Sequence, residues 1–445
     1  MANNSPSALG AADLAAATPP DRDRYADLLR LFSIGMVALG HWVVALLTLY
    51  GAGSVSTSMP VMLTTWVWQV MALFFFVGGF AHARALRHRP PTGEFVRARM
   101  SRLLPPAVAM LTVWAVLAAT LDVSGLAAGE LAAGLHRITV PLWFLGVYLL
   151  IVLAAPTMMR LHLRFGLWPV VGTLAVAAAA VDLVALGVGV ALVGYANMLF
   201  VWLAVHQMGY GYADGTLLRG GRRLAAALAV GGLGATVALV FGTSVYPVLM
   251  VGLPGNETAN SSPATLALFT QSLFLIGVAL LLRPAGTALV GRPRVWFVVA
   301  SGNTVIMTIF CWHLTACYLV QSALLLAGVH LPAADTSVWL LVLPGWLTAC
   351  ALICAGLVVL CRRFERSRPP AAVRTGAAVT GVVAAALGLF AVSETGLDGL
   401  VSWRAGTAAG AAPLPAWVAL ALVALGVLLL RGRRRSVRLA AEHSR

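Results

Sequence analysis

The chain has 445 residues, 60% of them hydrophobic and 10% charged, with a mean hydropathy of +0.91. Those proportions exclude a soluble globular domain and make the chain an integral membrane protein. The net charge of +15 does not signal nucleic-acid binding, because the arginines punctuate apolar spans instead of forming one patch on a soluble domain.

All 30 basic residues are arginine, which points to GC-rich coding such as that of an actinobacterium. Residues 1–20 lack the basic start and the small-residue cleavage site of a signal peptide, and residues 1–23 are expected to be a disordered cytoplasmic tail. A hydrocarbon core of about 30 Å needs roughly 20 apolar residues per helix. By that criterion twelve spans are predicted: 28–50, 61–83, 103–121, 142–159, 167–190, 194–212, 224–242, 264–282, 296–326, 337–360, 372–392 and 413–430. With the N-terminus cytoplasmic, only Arg137 and Arg404 fall on the far side. The positive-inside rule therefore places both termini in the cytoplasm and the protein in the plasma (inner) membrane.

The first span, "LLRLFSIGMVALGHWVVALLTLY", carries Arg30 and, eleven residues later, His41. Eleven helical steps come to about 1100°, close to a whole number of turns, with a rise of about 16.5 Å. Arg30 and His41 thus share one stripe of the helix, the histidine about half a membrane deeper. An ionisable group at that depth marks a functional site by default, the structural alternative being a neutral histidine satisfied by a neighbouring helix.

The second span ends in "FFFVGGFAHARAL", where Gly78 and Gly79 allow close approach of a partner helix or a thin ligand. The following loop holds six arginines in the nineteen residues from Arg84 to Arg102. Arg97, Arg99 and Arg102 are candidates to hold the phosphates of a cytoplasmic donor such as coenzyme A, the alternative being topology plus anionic lipid.

Asp182 is the one acid deep inside a predicted span, placed to orient a histidine, to compensate an arginine, or to serve as a protonated structural group. His206 and Gln207 lie about two turns from the cytoplasmic end of span six, where they would line a cavity mouth. The external stretch "GLPGNETANSSPA" reads as an ordered or semi-ordered lid over the outer face. In span nine, "SGNTVIMTIFCWHLTACYLV", His313 follows Ser301 by twelve residues and reaches a depth of about 18 Å, similar to that of His41. Histidine is the side chain best suited to act as a base near neutral pH. Of the five cysteines, four lie inside apolar runs and none forms a Cys-x-x-Cys pair, so neither a disulfide framework nor a metal site is indicated.

These segments together resemble the membrane-bound acyltransferase 3 family. Arg30 and His41 resemble its Arg-x10-His motif. "FFFVGGF" is similar to its phenylalanine-rich stretch, "FVRARMSRLLPP" to its Arg-x-x-Arg-Leu-x-Pro segment, and "LWFLGVYL", with Trp143 and Phe144, to its Trp-Phe-Leu segment. "SGNTVIMTIFCWHL" resembles the family's late helix that ends in histidine. Two departures stand out: the serine common in the phenylalanine-rich stretch is Gly78 or Gly79, and the chain continues into two further spans instead of an esterase-like domain.

The resemblance implies an all-α, polytopic membrane helical bundle: a ten-helix acyltransferase domain over residues 24–366, two additional transmembrane helices over 367–430 and a basic tail over 431–445. It implies transfer of an acyl group, commonly acetyl, from cytoplasmic acyl-CoA (acetyl-CoA) as co-substrate, with no permanently bound cofactor. The acceptor would be a hydroxyl of a cell-envelope carbohydrate, a glycolipid or a secondary metabolite. His41 is then the catalytic centre, Arg30 supports it or the donor, and His313 and Trp143 position the acceptor or polarise the thioester. Asp182 and His206 complete the candidate substrate-binding set. A different class fits the same buried groups: a proton-coupled secondary transporter with His41, Asp182 and His313 as relay.

Overall fold

The computed structural model describes residues 10–49, 58–124, 130–253, 256, 258–329, 338–365, 374–397, 400 and 414–431. Among these residues the regular structure is helical, with two isolated β-bridges and no strand. The chain divides into two compact units. The first is Met1–Arg84 with Thr157–Arg362, and the second is Ala85–Pro156 with Arg363–Arg445.

The first unit opens with a short helix, α1 (Ala11–Ala16), where the sequence suggested a disordered tail. Segment 10–23 is ordered by docking, which composition does not reveal. The indole N–H of Trp296 donates to the Thr18 hydroxyl at 2.8 Å, and Arg24 donates to the Ala15 carbonyl at 2.8 Å. The long helix α2 (Arg24–Leu49) is unbroken, so the calculated stripe of Arg30 and His41 stands on continuous helix.

The second predicted span is two helices, α3 (Met59–Trp68) and α4 (Met71–Leu86), interrupted at Gln69. Glutamines serve the groups freed by the break: the Gln69 side chain accepts from the Met71 amide at 3.3 Å, and Gln271 donates to the Trp66 carbonyl at 2.6 Å. An apolar run carries no mark of such a break, because hydropathy does not distinguish a continuous helix from two collinear pieces. The arginine-rich segment begins α5 (Thr92–Val123), followed by α6 (Glu130–Thr139) and α7 (Leu142–Phe165). Then come α8 (Leu167–Asp182), a π turn at Leu183–Gly187, a 3-10 turn at Ala191–Ala196 and α9 (Asn197–Ala213).

The short α10 (Thr216–Arg219) leads into α11 (Gly221–Gly242), and α12 (Leu266–Val290) follows after the long external segment. The predicted ninth span is again two helices, α13 (Pro293–Asn303) and α14 (Ile306–Leu326). Here short polar side chains compete for the backbone: Asn303 donates to the carbonyls of Asp27 and Val299, and the Thr304 hydroxyl donates to the Ser301 carbonyl. The unit closes with α15 (Val338–Cys361).

In the second unit, α16 (Thr375–Thr395) and α17 (Ala416–Leu430) join α5, α6 and the first part of α7. The Thr139 hydroxyl of α6 lies 3.1 Å from the Val392 carbonyl of α16. Eleven helical stretches among the described residues are long and apolar enough to cross a membrane; Ala416–Leu430 is apolar but shorter. At about 1.5 Å per residue its 15 residues cover about 22 Å, less than a hydrocarbon core, where the sequence suggested a twelfth full span.

Candidate functional site

The centre of the site is a pair of histidines on α2 and α14. Nδ1 of His41 lies 2.8 Å from Nε2 of His313, and the rings stack at a centroid distance of 5.0 Å. His313 is buried, whereas His41 is half-buried. The second nitrogen of His313, Nδ1, lies 2.7 Å from the Phe310 carbonyl. A carbonyl only accepts, so Nδ1 of His313 carries the proton and its Nε2 is a bare lone pair. Nδ1 of His41 must then donate to that lone pair. In the neutral His41 ring Nε2 is then the unprotonated nitrogen, and among the described residues it has no hydrogen-bond partner. The arrangement presents one basic nitrogen, its tautomer fixed by a second histidine and that one by a backbone carbonyl.

Packing holds this geometry. Around the pair, Trp42, Leu46, Ala316, Cys317, Trp346 and Cys350 form a buried cluster that joins α2, α14 and α15. Arg30, lower on α2, places its guanidinium 5.9 Å from the Phe74 ring centre. Among the described residues it makes no ion pair or hydrogen bond, which leaves an unpaired cation on the stripe that leads to His41.

His206 is fully buried and belongs to another pair, its Nε2 lying 2.9 Å from Nδ1 of His82 on α4. One residue on, the Gln207 amide donates to Nδ1 of His162 at 2.9 Å. Nε2 of His162 is left to donate to Asp214 at 3.1 Å. Burial alone would raise the Asp214 carboxyl, but hydrogen bonds from Thr216 and from His162 outweigh it and hold that carboxyl below its usual range. Sequence reading passed over His82 and His162; their signal was a histidine inside an otherwise apolar helix.

Asp182 stands at the end of α8 with both carboxylate oxygens occupied. Oδ1 accepts from the Asn197 amide at 2.7 Å; Oδ2 accepts from the Tyr246 hydroxyl at 3.0 Å and from the Leu266 backbone amide at 2.7 Å. The sequence offered it as a histidine partner, an arginine partner or a structural acid. It is bound here as a structural acid and makes no contact with a histidine among the described residues.

Arg97, Arg99, Arg102 and Trp143 all belong to the second unit. Arg97 donates to the Leu430 carbonyl at 2.8 Å, capping the C-terminal end of α17. Arg99 lies 5.4 Å from the Phe95 ring centre. Trp143 is half-buried and meets Phe144 edge to face at 6.2 Å.

Comparison with known proteins adds one finding: a family model described as "Acyltransferase domain", that of the acyltransferase 3 family, matches residues 23–362. No curated protein and no solved structure matches the chain.

Proposed function

The chain belongs to the acyltransferase 3 family and is a multi-pass membrane protein, and on that premise we propose that it is an O-acyltransferase in which Nε2 of His41 is the general base. The observation that carries this reading is the hydrogen-bonded chain from the Phe310 carbonyl through His313 to His41, which leaves one lone pair unused on the one half-buried ring. The donor is a cytoplasmic acyl-CoA, most simply acetyl-CoA. The acceptor is a hydroxyl of a cell-envelope carbohydrate, a glycolipid or a secreted metabolite, and both chain termini face the cytoplasm of a cell bounded by this plasma membrane.

In the proposed step, Nε2 of His41 takes the acceptor's hydroxyl proton as the oxygen attacks the thioester carbonyl carbon. A C–O bond forms and the C–S bond breaks. The proton returns from His41 to the departing thiolate sulfur, so the products are an ester and free coenzyme A thiol, with no net gain or loss of protons. His313 shares the positive charge that develops on His41 through their N–N contact. Arg30, on the same stripe and without an ion pair among the described residues, supplies a cation toward the donor. Arg97, Arg99 and Arg102 are the proposed contacts for the donor's phosphates, with Arg97 already held by the Leu430 carbonyl.

The transporter reading loses a member of its relay, since the oxygens of Asp182 are committed to Asn197, Tyr246 and Leu266. The test of the proposed function follows label from acetyl-CoA into lipid, polysaccharide and small-molecule fractions in membranes holding wild type or His41→Ala at matched expression. Label confined to wild type supports it. Equal labelling with both, or none with donors of any acyl length, sinks it.

A further inference from the structure

His41 and its neighbour Trp42 both reach His313. The His41 side chain meets the His313 ring, and the indole N–H of Trp42 donates to the His313 backbone carbonyl at 2.8 Å. A third helix is tied in by the same chemistry, for the indole N–H of Trp346 on α15 donates to the Trp42 carbonyl at 2.8 Å. All three of Trp42, Trp346 and His313 are buried. An indole nitrogen can only donate, and a carbonyl inside a helix keeps a second lone pair after serving the amide four residues on.

Such ties are not automatic for a buried indole in this protein. Trp202 and Trp312 are equally buried, yet their indole nitrogens have no hydrogen-bond partner among the described residues. The ladder therefore marks a place where helix register is fixed. Two adjacent residues of α2 hold one residue of α14 at two points, a ring nitrogen and a backbone oxygen. Sliding α2 by one residue, about 1.5 Å, or rotating it by about 100°, would break both contacts at once.

Resting on the proposed role of His41 as base, we propose that Trp42 and Trp346 are positioning residues: their indole N–H groups fix α2, α14 and α15 in the one register that keeps His41 protonated at Nδ1 and bare at Nε2. Neither touches the reacting atoms; each acts through the histidine pair. The histidine tautomers depend on the ladder whatever the substrate proves to be.

The test uses the full-length protein in nanodiscs with 15N-labelled histidine, comparing wild type, Trp42→Phe, Trp346→Phe, the double variant, and Trp202→Phe as a control of equal volume loss. Wild type is expected to show both rings of the pair as Nδ1–H tautomers. Trp42→Phe should lose the N–N coupling and mix the His41 tautomers, with kcat down about 10- to 100-fold and KM unchanged. Trp346→Phe should move the same signals less, the double variant should be no worse than Trp42→Phe, and Trp202→Phe should leave the signals in place. Unchanged histidine signals in both ladder variants, or the same change in the Trp202→Phe control, would overturn the proposal. If Trp42→Phe does not fold, Trp346→Phe decides by itself. Because the nitrogen spectra need no substrate, failure of acyl transfer in wild type would count against the proposed function and leave this result readable.

Discussion

A single proton decides what the two histidines can do. The Phe310 carbonyl orders the tautomer of His313, and His313 orders that of His41, so the nitrogen left bare belongs to the half-buried ring of the pair. Removing the middle member should be more damaging than its lack of contact with the acceptor suggests. His313→Ala is expected to lower kcat by about 10²-fold or more, with a smaller change in donor affinity, read from initial rates and donor binding side by side. A drop below threefold would detach His313 from the mechanism.

Away from the site, Asp214 gives a pH signature. Its carboxyl is held below the usual value of 3.8, so its stabilising bonds to Thr216 and His162 are fully present above that pH and are lost as pH falls through the lower folded value. Thermal unfolding midpoints of wild type and Asp214→Asn should differ above about pH 4 and converge as the pH is lowered further. A gap that persists unchanged in acid would contradict the assignment.

At the scale of elements, close backbone approach and one carboxylate account for features whose role the sequence left open between packing and ligand. Gly79 of the "FFFVGGF" stretch lies where α4 crosses α9: an added Cβ would come within 1.9 Å of the His206 carbonyl oxygen, and one on Gly209 within 2.0 Å of the Phe76 carbonyl oxygen. Backbone cannot move aside as a side chain can. Gly79→Ala should therefore destabilise the fold by about 3 kcal/mol, at the upper end of overpacking effects. Gly35→Ala on α2, where nothing lies within 4 Å, should be near neutral. Equal unfolding midpoints for the two variants in detergent would refute the crossing.

Asp182 clamps both ends of the segment between α11 and α12, through Tyr246 near its start and Leu266 at its end. Burial, with the Asp182 carboxylate beside it, pushes the Tyr246 hydroxyl above its ordinary range and keeps it a donor. Leu249, Leu253 and Ala259 of this segment pack on Val44, one turn beyond His41, and on Val61 and Met62. Asp182→Ala should speed proteinase K cleavage within 243–265 severalfold relative to cleavage elsewhere. An unchanged ratio would show that the carboxylate is not the latch.

For the whole molecule, the spans were legible because length and apolar content alone identify them, and the buried histidines because ionisable groups stand out in apolar helices. Pairing was not legible. That His41 meets His313, 272 residues on, or that His82 meets His206, depends on helix register that no local pattern records. The break at Gln69 and the docking of α1 escaped for the same reason, since Trp66 is served by Gln271 and Thr18 by Trp296, both distant in the chain. Asp182 stayed open between a functional and a structural role because Tyr246 and Leu266, its partners 64 and 84 residues away, are invisible from its own helix. The division into units also regroups the candidates, with the histidines, Arg30 and Asp182 in the first unit and Arg97, Arg99, Arg102 and Trp143 in the second.

The most direct test of His41 as the base uses purified protein with the acceptor fraction that takes up label, measuring acyl transfer by His41→Ala together with its binding of acyl-CoA. The proposed mechanism predicts transfer reduced by about 10³-fold or more while donor affinity stays within threefold of wild type. Transfer that survives within tenfold of wild type, with donor binding intact, would contradict it.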